Sequence, residues 1–378
     1  MKQQISIESG RLVDLFEAAL SADYAKLKRL GSELAQACLE QGDEGVAKRL
    51  KMMLRRRGVP LQASGAHVSL PIDGVSRLPL IEEEPWPSTP VILNQDVSGI
   101  ITRFLHDNQN AQLLRESGLL TRFGLMLSGP PGTGKTLLAG HIAAQLRRPF
   151  FIARLDSLIS SRLGETAKNI RQIFDFAPAK NAVLLLDEID AIAKIRDDRH
   201  ELGELKRIVN TVIQGLDSLD DHAIVVAATN HPQLLDAAIW RRFPYHCDIG
   251  MPDQSARSAL WSHFLYEGKL TSTRRAAFLG RISGGFSGAD IENLALATRR
   301  LSVLNQIDLP EPQLIAAILK SKPPNLCFPE LSRLTAGLKQ LLTKELASIE
   351  GIHKSEIAFM LRLSRQMVHR YLQEHPDE

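Results

Sequence analysis

The chain has 378 residues, 44% of them hydrophobic and 24% charged, which is room for one large globular unit with appendages or for two to three domains. A net charge of +3 is too mild to argue for a nucleic-acid partner by itself, and Cys38, Cys247 and Cys327 lie too far apart for a disulfide framework or a zinc site. The N-terminus has no apolar signal core and no stretch reaches the roughly 18 apolar residues of a membrane span, so a soluble, cytoplasmic protein without a membrane partner is expected.

Residues 8 to 58 carry helical periodicity (Leu12, Leu15, Phe16, Ala19; Leu27, Leu30, Leu34; Val46, Leu50, Met53, Leu54), broken at Gly31 and at Gln41-Gly42-Asp43. The pattern predicts a small helical domain over 1–58. Its closing basic run, Lys48 to Arg57, reads as a solvated helix face or as a contact for acidic lipid, nucleic acid or a partner. Residues 59–90 hold Pro60, Pro71, Pro79, Pro85, Pro87 and Pro90 around the acidic triplet Glu82-Glu83-Glu84, the composition of a partly extended linker.

From residue 91 short apolar runs alternate with helical stretches, as in a parallel sheet flanked by helices. The runs at Gly124–Ser128, Phe150–Ala153, Ala182–Leu186, Ala223–Ala228 and Tyr245–Ile249 predict an α/β core of five parallel strands over 91–253. Residues 254–322 read as wholly helical. A break at Lys322-Pro323-Pro324 precedes a last helical segment, 323–378.

Two patterns inside the core carry chemistry. Gly129-Pro130-Pro131-Gly132-Thr133-Gly134-Lys135-Thr136 fits GxxxxGK[ST] and stands between a strand and a helical pattern. Glycines there let backbone N–H groups turn inward around phosphate oxygens, and the helix start adds its positive dipole end. Lys135 is placed to reach the β- and γ-phosphates of a nucleotide, and the Thr136 hydroxyl to bind Mg²⁺. The apolar run Val183–Leu186, patterned for a strand covered on both faces, leads into Asp187-Glu188-Ile189-Asp190. Ligands of doubly wound sheets sit at such strand ends, where Asp187 would hold the metal and Glu188 would orient and polarise an attacking water.

These two motifs, with Ala228-Thr229-Asn230, Trp240-Arg241-Arg242-Phe243 and Gly284-Gly285-Phe286-Ser287-Gly288-Ala289-Asp290, occur in the order seen in AAA ATPases. Over roughly residues 91 to 320 the chain resembles that family, whose P-loop fold binds ATP with Mg²⁺ and hydrolyses it. By this resemblance Asn230 is the polar sensor that helps to place the water. Arg241 and Arg242 are similar to the arginine fingers that reach a neighbour's γ-phosphate, which implies a homo-oligomeric ring, six subunits by family expectation. Gly288 and Ala289 start a lid helix near the adenine. An arginine occupies this region in many AAA+ relatives; Ala289 here matches the AAA subgroup proper, with the proteasomal ATPases and katanin-like severing enzymes.

Leu158 to Thr166 is similar to the loop that lines the central pore of such rings, with Arg162 where relatives place an aromatic that grips an unfolded chain. A planar cation there favours an acidic strand of protein or nucleic acid, or else the ring changes shape without threading. Asp197 to Glu204 resembles the second pore loop.

Lys354 to Leu372 resembles a helix-turn-helix, with Ala358 at the helix crossing, Ser364 capping the second helix, and Val368 and Tyr371 inward. Arg365, Gln366, His369 and Arg370 would line its recognition face toward DNA, although Arg362 stands where the turn glycine usually sits; an oligomerisation or docking bundle has the same apolar spacing. The whole arrangement also resembles bacterial AAA ATPases encoded beside subtilisin-like serine proteases. The sequence holds neither HExxH nor GxSxG, so proteolysis would come from a separate protease acting on a shared protein client. ATP-driven remodelling of that client is the expected function, and an ATP-switched DNA-associated regulator in plasmid or phage control is the alternative.

Overall fold

In the computed structural model the described residues are 30, 32–35, 37, 70–73, 77–119, 123–155, 163–194, 202–219, 224–269, 272–331 and 334–373. Most of the expected N-terminal helical domain, the basic run Lys48 to Arg57, Arg162 and Asp197 to Glu201 lie outside them. Contact clustering divides the chain into residues 1–70 and 71–378. In the first unit residues 32–35 are helical and Ala35 is buried.

The second unit is organised by six strands: β1 (Glu82–Glu84), β2 (Gly124–Ser128), β3 (Phe150–Arg154), β4 (Val183–Asp187), β5 (Ile224–Thr229) and β6 (Tyr245–Asp248). They form one sheet in the order β1-β3-β4-β5-β2-β6. All neighbouring pairs are parallel except β1 with β3. The five expected strands are all present, and β1 corrects the expected count. It comes from the stretch read as linker, where Glu82 pairs with Ile152 and Glu84 with Phe150. Three acidic residues give no apolar signal, yet an edge strand needs none on its open side, and charge there deters edge-to-edge association.

Described residues elsewhere in the proline-rich stretch are also fastened down. Trp86 Nε1 donates to Arg148 O at 2.9 Å, and His141 Nε2 lies 2.7 Å from Thr89 O. Pro87 covers Gly140, where an added Cβ would sit 2.9 Å from the proline ring. Lower down, buried Asn169 donates to Asp73 at 2.7 Å.

Helices flank the sheet: α1 (Gln95–Gln109), α2 (Lys135–Leu146), α3 (Leu163–Ala179) and α4 (Leu202–Ser218). β4 and β5 are buried along nearly their whole length, as their unbroken apolar runs require for strands covered on both faces. Val97, Phe104, Leu127, Leu138, Ile142, Leu185 and Val226 belong to the core on one side of the sheet. The order places β2 between β5 and β6 while its helix α2 leads across to β3. The connection therefore reverses direction at β2, and a crevice opens at the C-terminal ends of β2, β4 and β5.

Residues after 253 are helical: α5 (Gln254–Tyr266), α6 (Thr273–Ile282), α7 (Gly288–Asn305), α8 (Glu311–Lys320), α9 (Ala336–Ser348), α10 (Lys354–Met360) and α11 (Arg365–Gln373). α5 is capped by Asp253, whose carboxylate accepts from Ala256 N at 2.7 Å, and α7 by a capping box between Ser287 and Asp290. The expected division at 322 does not divide the packing. Trp261, Leu279, Leu294 and Leu314 before it share one core with Leu342, Leu346, Ile357 and Val368 after it. Trp261 Nε1 donates to Ser283 Oγ at 2.9 Å, which satisfies the one polar atom of this core's largest side chain. Among the described residues no helix is long and apolar enough to cross a membrane.

Candidate nucleotide site

β2 ends at Ser128 and the chain turns at once into the glycine loop. Gly129 has φ +145, and a Cβ there would lie 2.1 Å from Ile249 O at the end of β6, so only glycine fits. Gly132 and Gly134 also hold positive φ, at 77° and 90°. Thr133 Oγ1 donates to Pro130 O at 2.9 Å and closes the loop across Pro131. α2 begins at Lys135, so its first N–H groups point back into the loop.

The Lys135 ammonium is folded inward, donating to Gly129 O at 2.7 Å and Pro130 O at 2.8 Å, with the residue 8% exposed. Burial lowers its pKa, and the Asp187 and Asp190 carboxylates work against that shift. Two carbonyls are weak compensation for a buried cation, so phosphate oxygens would be better partners than those it has.

β4 delivers the carboxylates. Thr136 Oγ1 donates to Asp187 Oδ2 at 3.1 Å, which joins the two candidate metal ligands from different elements. Asp187 Oδ1 accepts from Glu188 N at 3.0 Å. Glu188 stands at φ +54, a left-handed conformation that costs a residue with a Cβ about 1–2 kcal/mol. The turn is held by Ile189 N donating to Ala228 O at 3.1 Å and by buried Asp190. Asp190 accepts from Thr229 Oγ1 at 2.9 Å and from Asn230 N at 3.3 Å, which ties β4 to β5. Sequence reasoning gave Asp190 no role; its place inside the acidic motif was the available signal. Asn230 Oδ1 is a buried oxygen without a hydrogen-bond partner among the described residues.

A cavity of about 440 Å³ joins these groups: Gly132, Thr133, Gly134, Lys135, Thr136, Asp187, Glu188, Asn230, Gly288 and Ala289 all line it, with Pro131. Gly129 and Pro130 enter through their carbonyls on Lys135. The far wall is apolar, built from Val91, Ile92, Leu93, Ile249, Leu260 and Phe264. Sequence reasoning missed this wall, for which the run Val91–Leu93 after Pro90 was the only trace. α7 meets the loop directly, since Ala289 N donates to Gly132 O at 3.1 Å.

Arg241 and Arg242 are not brought to this cavity. Gly124, at the start of β2, abuts Arg242: an added Cβ would be 3.0 Å from Arg242 O. The glycine loop follows the other end of that strand, roughly 13 Å away at about 3.3 Å per residue. Arg242 is clamped by Asp217 at the end of α4, with Nε to Oδ1 at 3.2 Å and Nη2 to Oδ2 at 3.0 Å, while Nη1 donates to Ala238 O at 3.2 Å. The hydrogen bond to Asp217 raises the guanidinium pKa further, and Arg241 is exposed.

The donor set fits a nucleoside triphosphate with magnesium. The loop is a cradle that a Cβ would fill, its lysine is hydrogen-bonded to two carbonyl oxygens, and an apolar slot adjoins it for a flat base. Thr136 and Asp187 offer two hard oxygens, and among the described residues no three His, Cys, Asp or Glu cluster into a metal cage. Mg²⁺ is held in this way, by one or two protein oxygens with water and phosphate completing its shell.

Residues 125–251 match the family model described as "ATPase family associated with various cellular activities (AAA)". The chain is 44% identical over 153 residues to the uncharacterized AAA family ATPase y4kL of Sinorhizobium fredii, covering 40% of this chain and 46% of that one. It is 32% identical over 203 residues to a proteasome-activating nucleotidase of Saccharolobus solfataricus, covering 52% and 51%. It is 34% identical over 225 residues to the ATP-dependent zinc metalloprotease FtsH 1 of Symbiobacterium thermophilum, covering 55% and 37%. The chain thus spans about half or less of the length of these relatives. Residues 125–251, which hold the glycine loop, the acidic strand end and Asn230 around one cavity, are thus an AAA ATPase module by their match to that family's model.

Proposed function

We propose that the chain hydrolyses ATP to ADP and phosphate at a site completed by a second copy of itself, and that turnover remodels a protein client. The observation that carries the reading is the junction of Thr136 with Asp187, beside a Glu188 held in a left-handed turn and an unsatisfied Asn230 oxygen. Lys135 would exchange its two carbonyls for the β- and γ-phosphates, and the loop N–H groups would take the remaining phosphate oxygens. Thr136 and Asp187 would hold Mg²⁺, which when bound supplies charge neutralisation at the phosphates. Glu188 would accept a proton from the attacking water, and Asn230 would fix that water's position.

Arg242, with Arg241 beside it, would act in trans. Its clamp lies at the far end of β2 from the chain's own loop, which supports delivery to a neighbour rather than to itself. A finger supplied this way is worth about 10³ to 10⁵ in rate in related phosphoryl transfer. A ring of identical subunits, six by family expectation, meets that geometric demand. A protein client is supported by the relatives named for proteasome activation and for ATP-dependent proteolysis; a protease would be a separate partner.

Steady-state turnover against protein concentration tests the proposal. Turnover per chain should rise steeply with assembly. Glu188→Gln should bind ATP and turn over at least 100-fold more slowly, and Arg242→Ala should bind ATP and lose turnover. Parental rates from either variant, or full turnover by Arg242→Ala as a monomer, would remove that residue's assignment.

A further inference from the structure

The last three helices present a face that the ATPase reading leaves unused. α10 ends at Met360 with Leu361 as its C-cap, and Arg362 takes φ +54. Leu363 N then donates to Ala358 O at 2.9 Å and Arg362 N to Phe359 O at 3.4 Å, the paired bonds of a left-handed helix stop. Ser364 starts the next helix, its hydroxyl accepting from Met367 N at 3.1 Å. Four residues, 361–364, therefore separate the two helical runs, within the turn length of a helix-turn-helix. Ile357, Ala358, Leu361 and Val368 anchor the pair in the core shared with α9, and Tyr371 is buried beside them.

With Val368 and Tyr371 inward, α11 turns Arg365, Gln366, His369, Arg370 and Gln373 outward, and all five are exposed. Their spacing of one, four, five and eight from the first is one face of a helix. Among the described residues of this segment the exposed charges are one-sided. Between 351 and 373 the exposed ions are Lys354, Arg362, Arg365 and Arg370. The acid in that span, Glu356, is buried and held by Arg281 Nη2 at 2.7 Å. The neighbouring exposed acids Glu345 and Glu350 belong to α9 and the turn after it.

We propose that α11 is a recognition helix for double-stranded DNA, with Arg365 and Gln366 at its N-terminal end facing base edges in the major groove and Lys354 and Arg370 facing phosphates. Cationic side chains around a helix start suit the duplex backbone, and glutamine and histidine supply the donors and acceptors that base edges read. The mild net charge of the whole chain is no obstacle, because the positive charge is local to one face.

Fluorescence anisotropy of the full-length chain on a random 25-base-pair duplex tests this between 50 and 200 mM salt. Binding should fall in the micromolar range typical of non-specific contacts and weaken steeply with salt. Arg365→Ala with Arg370→Ala should lose at least ten-fold in affinity at 50 mM salt and flatten the log–log salt slope by about 1, at roughly 0.9 per phosphate contact. Gln366→Glu with His369→Glu adds negative charge to the same face without touching the core and should give a comparable loss. Melting temperature and ATP turnover should match the parent in both. Lys135→Ala should keep duplex binding, so failure of the ATPase reading leaves this result unaffected. No duplex binding by the parent at 50 mM salt, parental binding by both double variants, or tighter binding to an RNA hairpin or an acidic polypeptide than to the duplex would overturn the proposal.

Discussion

Gly132→Ala strikes the seam between the glycine loop and the helical segment, and its cost can be worked from the structure. Gly132 has φ +77, and an added Cβ would stand 2.6 Å from Ser287 Oγ and 3.2 Å from Ala289 Cβ. Both neighbours belong to the capped start of α7, where Ser287 is fixed by Asp290 and Ala289 N donates to Gly132 O at 3.1 Å. The left-handed backbone costs alanine about 1 kcal/mol and the overpacking about 1–3 kcal/mol. Together that is about 2–4 kcal/mol, unless α7 retreats and gives up its hydrogen bond to the loop. At about 1.5 °C per kcal/mol for a unit of this size, calorimetry should show a melting temperature about 3–6 °C lower. ATP affinity should fall with it, because Gly288 and Ala289 line the same cavity. A melting temperature within 1 °C of the parent and unchanged affinity would refute the idea that loop and helix are packed against each other without slack.

Asp217→Asn weakens the clamp on Arg242 while keeping its shape; ATP affinity should hold and turnover per assembled chain should change several-fold, read by phosphate release. Leu294→Ala, at a wholly buried site in the helical core, should cost about 2–5 kcal/mol in urea unfolding. Arg362→Gly relieves a left-handed residue and should raise stability by up to about 1 kcal/mol, less what the Arg362 Nη2 bond to Leu309 O contributes. Glu356 supplies a pH test. Burial opposes its charge, but the His353 N–H and the Arg281 guanidinium outweigh burial and hold its carboxyl below the ordinary value. Its stabilisation is therefore fully present above the unfolded carboxylate range and is lost as pH falls through the lower folded value. Unfolding followed from pH 6 to 3 should show that loss in the parent and less of it in Glu356→Gln.

The parts legible in the sequence are those whose chemistry is local. The glycine loop states its own backbone conformation, and the apolar runs of β2, β4 and β5 state strands with both faces covered. In the tail, Ser364 Oγ accepts from Met367 N at the start of α11, and Ala358 is buried in the helical core. β1 was hidden because its residues carry no apolar side chains; its pairing with β3 rests on the backbone ladder, with Arg154 Nη2 also 3.8 Å from Glu82 Oε2. The Asp217 clamp was hidden because its partners are 25 residues apart and on different elements. The base-side wall draws Val91 to Leu93, Ile249, Leu260 and Phe264 from three separate stretches, and no local pattern joins them. The break at 322 marked a change of direction in the chain, while the apolar surfaces on either side needed each other for burial.

Isothermal titration of the purified full-length chain with ATP, with and without Mg²⁺, reaches the root of these assignments. One site per chain, tightened by magnesium and abolished in Lys135→Ala, is the predicted result. No heat of binding for any adenine nucleotide in the presence of magnesium would contradict the assignment of the cavity and everything built on it.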